Sequence, residues 1–136
     1  MDVKNYDIAK DILTFYLQAE SFPEGIDETF KKLSDLLGGF AGREVYGVSD
    51  MSSGKMVYRA CVKEQYPGEA AQYKLPYYTI PKGKYLYTTL KDWRNHLPEI
   101  NTIFQQLTRH PDMKQNSIVL EYYKNEDEAL LMVQHR

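Results

Sequence analysis

The sequence has one cysteine, Cys61, so no disulfide can form within the chain. Cys61 sits in the apolar run Met56-Val57-Tyr58-Arg59-Ala60-Cys61-Val62 and reads as a small core residue. A reactive thiol needs an electropositive, accessible setting, and Arg59 alone is weak support. The first residues, Met1 to Asp7, are too charged for a signal peptide. With a lone thiol they predict a reducing, cytoplasmic location. No apolar run approaches the roughly 18 residues of a membrane-spanning helix, so no membrane partner is expected. No basic stripe exists either. Seventeen Lys and Arg residues are scattered among nineteen Asp and Glu, which argues against direct nucleic-acid binding. The net charge of −2 suits a cationic or neutral partner better than an anionic polymer.

Metal and cofactor signals are missing too. His96, His110 and His135 lack metal-type spacing. Gly38-Gly39 is a helix stop, and no phosphate loop or dinucleotide fingerprint occurs. Asn125-Glu126-Asp127-Glu128 lacks the ligand spacing of a calcium loop and reads as a solvated turn. The expected cofactor list is empty.

What the sequence does have is tyrosine. There are twelve, against five Phe and one Trp, and a residue with an apolar face and a polar tip suits a half-wet cleft. Tyrosines are also good strand formers, and most of these fall in predicted strands. Hydrophobic residues at 43% and charged residues at 26% are ordinary globular proportions, so residues 1–136 are expected to form one domain.

Asp11 to Gln18 reads as a strand, although a helix also fits the run. Ile26, Phe30, Leu33 and Leu37 recur at helical spacing, with Asp27 and Glu28 in the dipole-favoured first turn and Gly38-Gly39 as the stop. Arg43–Ser49 and Met56–Glu64 form a hairpin around Asp50-Met51-Ser52-Ser53-Gly54. The polar stretch around Pro67-Gly68-Glu69 is a predicted loop. Tyr77–Ile80 and Lys84–Leu90 are strand pieces separated by a bend at Pro81. A second helix starts near Pro98 and carries Ile100, Ile103, Phe104 and Leu107. Ser117–Tyr123 and Ala129–Gln134 complete a second hairpin.

Ile26, Phe30 and Leu33 recur 74 positions later as Ile100, Phe104 and Leu107. Tyr46-Gly47-Val48 lies over Leu120-Glu121-Tyr122 at the same offset. The chain thus reads as two strand–helix–strand–strand repeats, approximately residues 10–64 and 77–135. One such unit cannot close a core; two build one antiparallel sheet, α+β in class, with two helices on one face and a ligand cleft on the other.

The second half resembles the GyrI-like small-molecule-binding domain, the effector-binding domain of AraC-type and MerR-type regulators. The likeness rests on Tyr78-Thr79-Ile80-Pro81-Lys82-Gly83-Lys84-Tyr85, on Trp93, on the helix through Ile100 and Phe104, and on Val119-Leu120-Glu121-Tyr122-Tyr123 with Leu130-Leu131-Met132-Val133. It implies bulky, often cationic aromatic ligands, a buried glutamate counter-ion at Glu121, and a role in transcriptional regulation. Fused members carry a helix-turn-helix domain that this sequence does not show, so a stand-alone binding module is expected. The family's apolar-Pro-apolar ending is also replaced, by Met132-Val133-Gln134-His135.

Strand alternation puts Ile118, Leu120 and Tyr122 on one face and Val119, Glu121 and Tyr123 on the other. The first set better matches a helix-covered core, which would leave Glu121 facing an open cleft as the one charge in an apolar strand. An unpaired buried carboxylate is costly, and a cationic ligand would relieve that cost. Candidate ligand-binding residues are Glu121, Tyr123, Val119, Tyr85, Tyr87, Tyr46, Tyr58 and Trp93. The leading expectation is a receptor for small organic cations or amphipathic aromatics. A hydrolase using Glu121 as general base with Tyr123 is the alternative, and a separate protein partner, as for a gyrase inhibitor, is a third.

Overall fold

The computed structural model describes every residue from Met1 to Arg136. Eight strands alternate with three helices. They are β1 (Lys4–Ile8), β2 (Ile12–Gln18), α1 (Ile26–Leu37), β3 (Val45–Asp50), β4 (Val57–Lys63), α2 (Glu69–Gln72), β5 (Tyr77–Ile80), β6 (Gly83–Lys91), α3 (Leu97–Leu107), β7 (Val119–Tyr123) and β8 (Glu128–Gln134). A single 3-10 turn, Trp93–Asn95, precedes α3.

The strands form one antiparallel sheet in the order β1-β6-β8-β7-β3-β4-β2-β5. Both ends of that order are built from the same two stretches of chain. β1 runs into β2 through residues 9–11, and β5 runs into β6 through Pro81 and Lys82. Ile8 pairs with Gly83, and Ile12 pairs with Ile80. The two bent stretches therefore stay antiparallel around the corner, with one residue more on the first, as at a β-bulge. The sheet curls until its ends share this corner. Each half lends its first strand to the other: β1 pairs with β6 and β5 with β2.

The helices form for the reasons the sequence suggests. In α1 the apolar stripe faces the sheet and buries Leu33, Asp27 and Glu28 occupy the first turn, and Gly38 closes the helix in the left-handed conformation (φ 75°). In α3, Pro98 occupies the first turn, and Phe104 and Leu107 are buried. α1 lies on β2 and β4, while α3 lies on β6 and β8. The central pair, β3 and β7, runs uncovered between the helices. No helix is long and apolar enough to cross a membrane.

Packing divides by face. On the helix side, Leu33 packs with Phe15, Val45, Ala60 and Val62, and Phe104 and Leu107 pack with Leu86, Leu90, Leu131 and Val133. The inner side of the curl has its own core of Tyr46, Val48, Cys61, Tyr85, Leu120, Leu130 and Met132. Burial pushes the Cys61 thiol up to about 12, which leaves it unreactive.

Two features were not expected from the sequence. β1 lies in the charged N-terminal stretch, and it is a strand because β6 offers it a full register from Lys4↔Tyr87 to Ile8↔Gly83. The stretch read as a loop at Pro67-Gly68-Glu69 contains α2, whose Glu69 is buried (1% exposed) against Arg43 at 2.5 Å. The Arg43 hydrogen bonds hold the Glu69 carboxyl below its ordinary range.

Candidate functional site

The site forms where β3 and β7 cross the gap between α1 and α3. Glu121 of β7 is directly opposite Gly47 of β3. Its side chain rises on the helix side, and the residue is 8% exposed. Tyr58 of β4 donates a hydrogen bond to Glu121 Oε1 at 2.5 Å, and Tyr123 donates to the same oxygen at 3.0 Å. Oε2 receives no protein donor and is not sealed from solvent. No lysine or arginine pairs with the carboxylate. Burial pushes its pKa above the ordinary carboxylate value, and the two tyrosine hydroxyls pull part of the way back. Burial and the neighbouring Glu121 charge raise both tyrosines well above their ordinary value, so both remain donors.

Aromatic rings pack against the two tyrosines that hold this acid. Phe30 of α1 lies 5.8 Å from the Tyr123 ring and 6.2 Å from Tyr58, both edge to face. Trp93, just before α3, lies 4.8 Å from Tyr123, and its indole N–H is held by the Asn125 carbonyl at 2.9 Å. Phe22, 44% exposed, covers Tyr58 at 5.9 Å. The gap between the helices is thus walled by Phe30 of α1 on one side and by Trp93, from the turn before α3, on the other, with Glu121 at its floor.

Gly47 is required by close approach rather than by its torsions. A Cβ at this position would overlap the Tyr58 hydroxyl and Glu121 Oε1. A glycine inside a strand is the sequence signal for such an approach. It was available at Gly47, and so was Phe30, on the sheet-facing stripe of α1.

Of the eight residues expected in the site, the structure gathers Glu121, Tyr123, Tyr58 and Trp93. Val119 shares their face and packs with the α3 cluster. Tyr46, Tyr85 and Tyr87 are on the opposite face. Tyr46 stacks on Tyr122 at 4.8 Å and donates to Glu44 at 2.8 Å. Tyr85 donates to the Pro81 carbonyl at 2.7 Å. Tyr87 packs edge to face on Tyr6 at 5.6 Å. The parity expected for β7 is therefore reversed. Ile118 and Leu120 point into the curl, while Val119, Glu121 and Tyr123 face the helices. The reason is physical: a curled sheet buries both faces, so apolar alternation does not tell which one carries helices.

The scaffold is that of a curled-sheet α+β domain with a groove between its helices. No family model and no curated protein matches the chain. Solved structures do. An integron cassette protein from the mobile metagenome of Vibrio cholerae aligns with a TM-score of 0.71 at 16% identity, over 98% of this chain and 95% of its own. SAV2435, in a structure bound to tetraphenylphosphonium, aligns with a TM-score of 0.67 at 12% identity, over 100% of this chain and 94% of its own. At these identities the likeness is one of fold.

Proposed function

We propose that this protein is a receptor for bulky organic cations, held between α1 and α3 with Glu121 as counter-ion. The observation that carries the reading is a buried carboxylate with no basic partner, fixed by the hydroxyls of Tyr58 and Tyr123, whose rings pack in turn against Phe30 and Trp93. A buried carboxylate without a countercharge is costly. A ligand that brings the missing positive charge removes that cost, and ring faces add roughly 0.5–2 kcal/mol per cation contact. The free Oε2 is the atom that meets the ligand. SAV2435, of the same fold, binds a cation of this type, which supports the reading. The resemblance to GyrI-like effector-binding domains supports it as well, and on that reading the activity is sensing or sequestering drug-like compounds and, through a separate partner, transcriptional regulation.

The test is a titration with tetraphenylphosphonium followed by the fluorescence of Trp93, the one tryptophan. Saturable quenching is expected in the parent, and only at concentrations about 30-fold higher or more in Glu121→Gln. Equal affinity of the two proteins would remove the counter-ion role.

A second reading draws on the raised Glu121 pKa beside the Tyr123 hydroxyl. A carboxylate poised nearer neutrality can act as a general base on water, with the tyrosine orienting an electrophilic substrate. Turnover of such a substrate that vanishes in Glu121→Gln would favour hydrolysis over binding.

A further inference from the structure

On the opposite face of the same two central strands lies a cavity of about 200 Å³ that the groove does not use. The sheet separates the two. Tyr46 and Tyr122 flank Gly47 and Glu121 along the strands and therefore point the other way. The cavity opens where β1 departs toward β6, and Tyr6, Tyr46 and Tyr122 supply its aromatic lining. Tyr46 and Tyr122 are stacked, with their planes 18° apart. Three charged residues line it as well: Asp7, Glu44 and Lys10. We propose that this cavity is a second ligand site, one that takes a small methylated ammonium group with Glu44 as its counter-ion.

Size, charge and donor chemistry agree. Drug-sized ligands occupy about 300–1,000 Å³, so this space excludes a four-ring cation and suits a trimethylammonium head with a short arm. The lining itself carries two carboxylates, Asp7 and Glu44, against the Lys10 ammonium, with Lys63 outside it partly offsetting Glu44, and that lining favours a positive guest. The lining is mostly apolar, which suits methyl groups better than a bare, strongly hydrated ammonium or a metal ion. An anion would find few donors, because the Tyr46 hydroxyl is committed to Glu44 at 2.8 Å. Glu44 is available: its ion pair with Lys63, at 3.4 Å, is half exposed on both sides and therefore weak.

The probe is choline, titrated into the full chain while the tyrosine ring signals are followed by NMR. Its neutral isostere 3,3-dimethylbutan-1-ol serves as control. Choline is expected to saturate, to bind at least about fivefold more tightly than the isostere, and to weaken about fivefold in Glu44→Gln and in Tyr122→Leu. Lys10→Gln removes a competing charge and is expected to tighten binding. Glu121→Gln is expected to leave choline unaffected. Equal binding of the isostere, or an unchanged affinity in Glu44→Gln, would overturn the site. Sensitivity to Glu121→Gln with a silent Glu44→Gln would move choline to the groove and also overturn it, while leaving the groove reading intact. If Tyr122→Leu fails to fold, the two substitutions at the exposed rim, Glu44→Gln and Lys10→Gln, still decide.

Discussion

Gly47 and Glu121 occupy equivalent positions in the two halves, 74 residues apart, and they face each other across β3 and β7. The strands around them are near copies in order and register. The two side chains could not differ more. The difference is a requirement of packing: the carboxylate of one half and the Tyr58 hydroxyl fill the space that a Cβ of the other half would need. A duplicated scaffold can therefore hold one acid at its centre and not two. Two carboxylates there would also repel each other.

The sharpest way to break this asymmetry is to neutralise the one acid. Glu121→Gln is expected to weaken tetraphenylphosphonium binding about 30-fold or more, because truncating one partner of a buried charge pair costs about 2–5 kcal/mol; calorimetry would measure it. Gly47→Ala keeps the acid and takes away its room. It is expected to cost about 1–3 kcal/mol in denaturant unfolding through overpacking, and about tenfold in cation affinity as Tyr58 and Glu121 shift. Trp93→Leu thins one wall, and a loss of about two- to fivefold is expected by the same calorimetry. Tyr46→Phe, on the far face, is expected to leave tetraphenylphosphonium binding unchanged.

Acidity gives a further measurement. The folded Glu121 has a raised pKa, so the ligand-free protein is favoured below the ordinary carboxylate value of about 4.3 and loses stability as pH rises from there through the folded pKa. Glu121→Gln is expected to flatten that slope in unfolding experiments at a series of pH values. Cation affinity runs the opposite way, rising across the same window as the carboxylate ionises. The Tyr58 hydrogen bond lowers the Glu121 pKa, so Tyr58→Phe is expected to move the midpoint of the affinity profile upward.

Much of this arrangement is legible in the residues. The helical stripes of α1 and α3, both hairpins and the 74-residue offset follow from periodicity and turn chemistry, because local spacing dictates local structure. Glu121 stands out because a charge inside an apolar strand needs an explanation. What periodicity does not carry is the third dimension. The reversed parity of β7 and the separation of Tyr46, Tyr85 and Tyr87 from Glu121 share one cause: both faces of the curl are buried. β1 escaped notice because Lys4 and Asp7 mask a strand whose only support is a partner some eighty residues away. Glu69 looked like loop polarity because its mate, Arg43, lies outside the local stretch, 26 residues earlier in the sequence.

The exchange of first strands between the halves also sets an order of events. β1 has no partner until β6 exists, and β8, almost the last stretch of the sequence, lies near the middle of the sheet between β6 and β7. A nascent chain emerging from the ribosome therefore cannot complete the first half and set it aside. It must keep β1 unpaired while most of the polypeptide is made, and close the curl late through long-range contacts, which makes for slow folding.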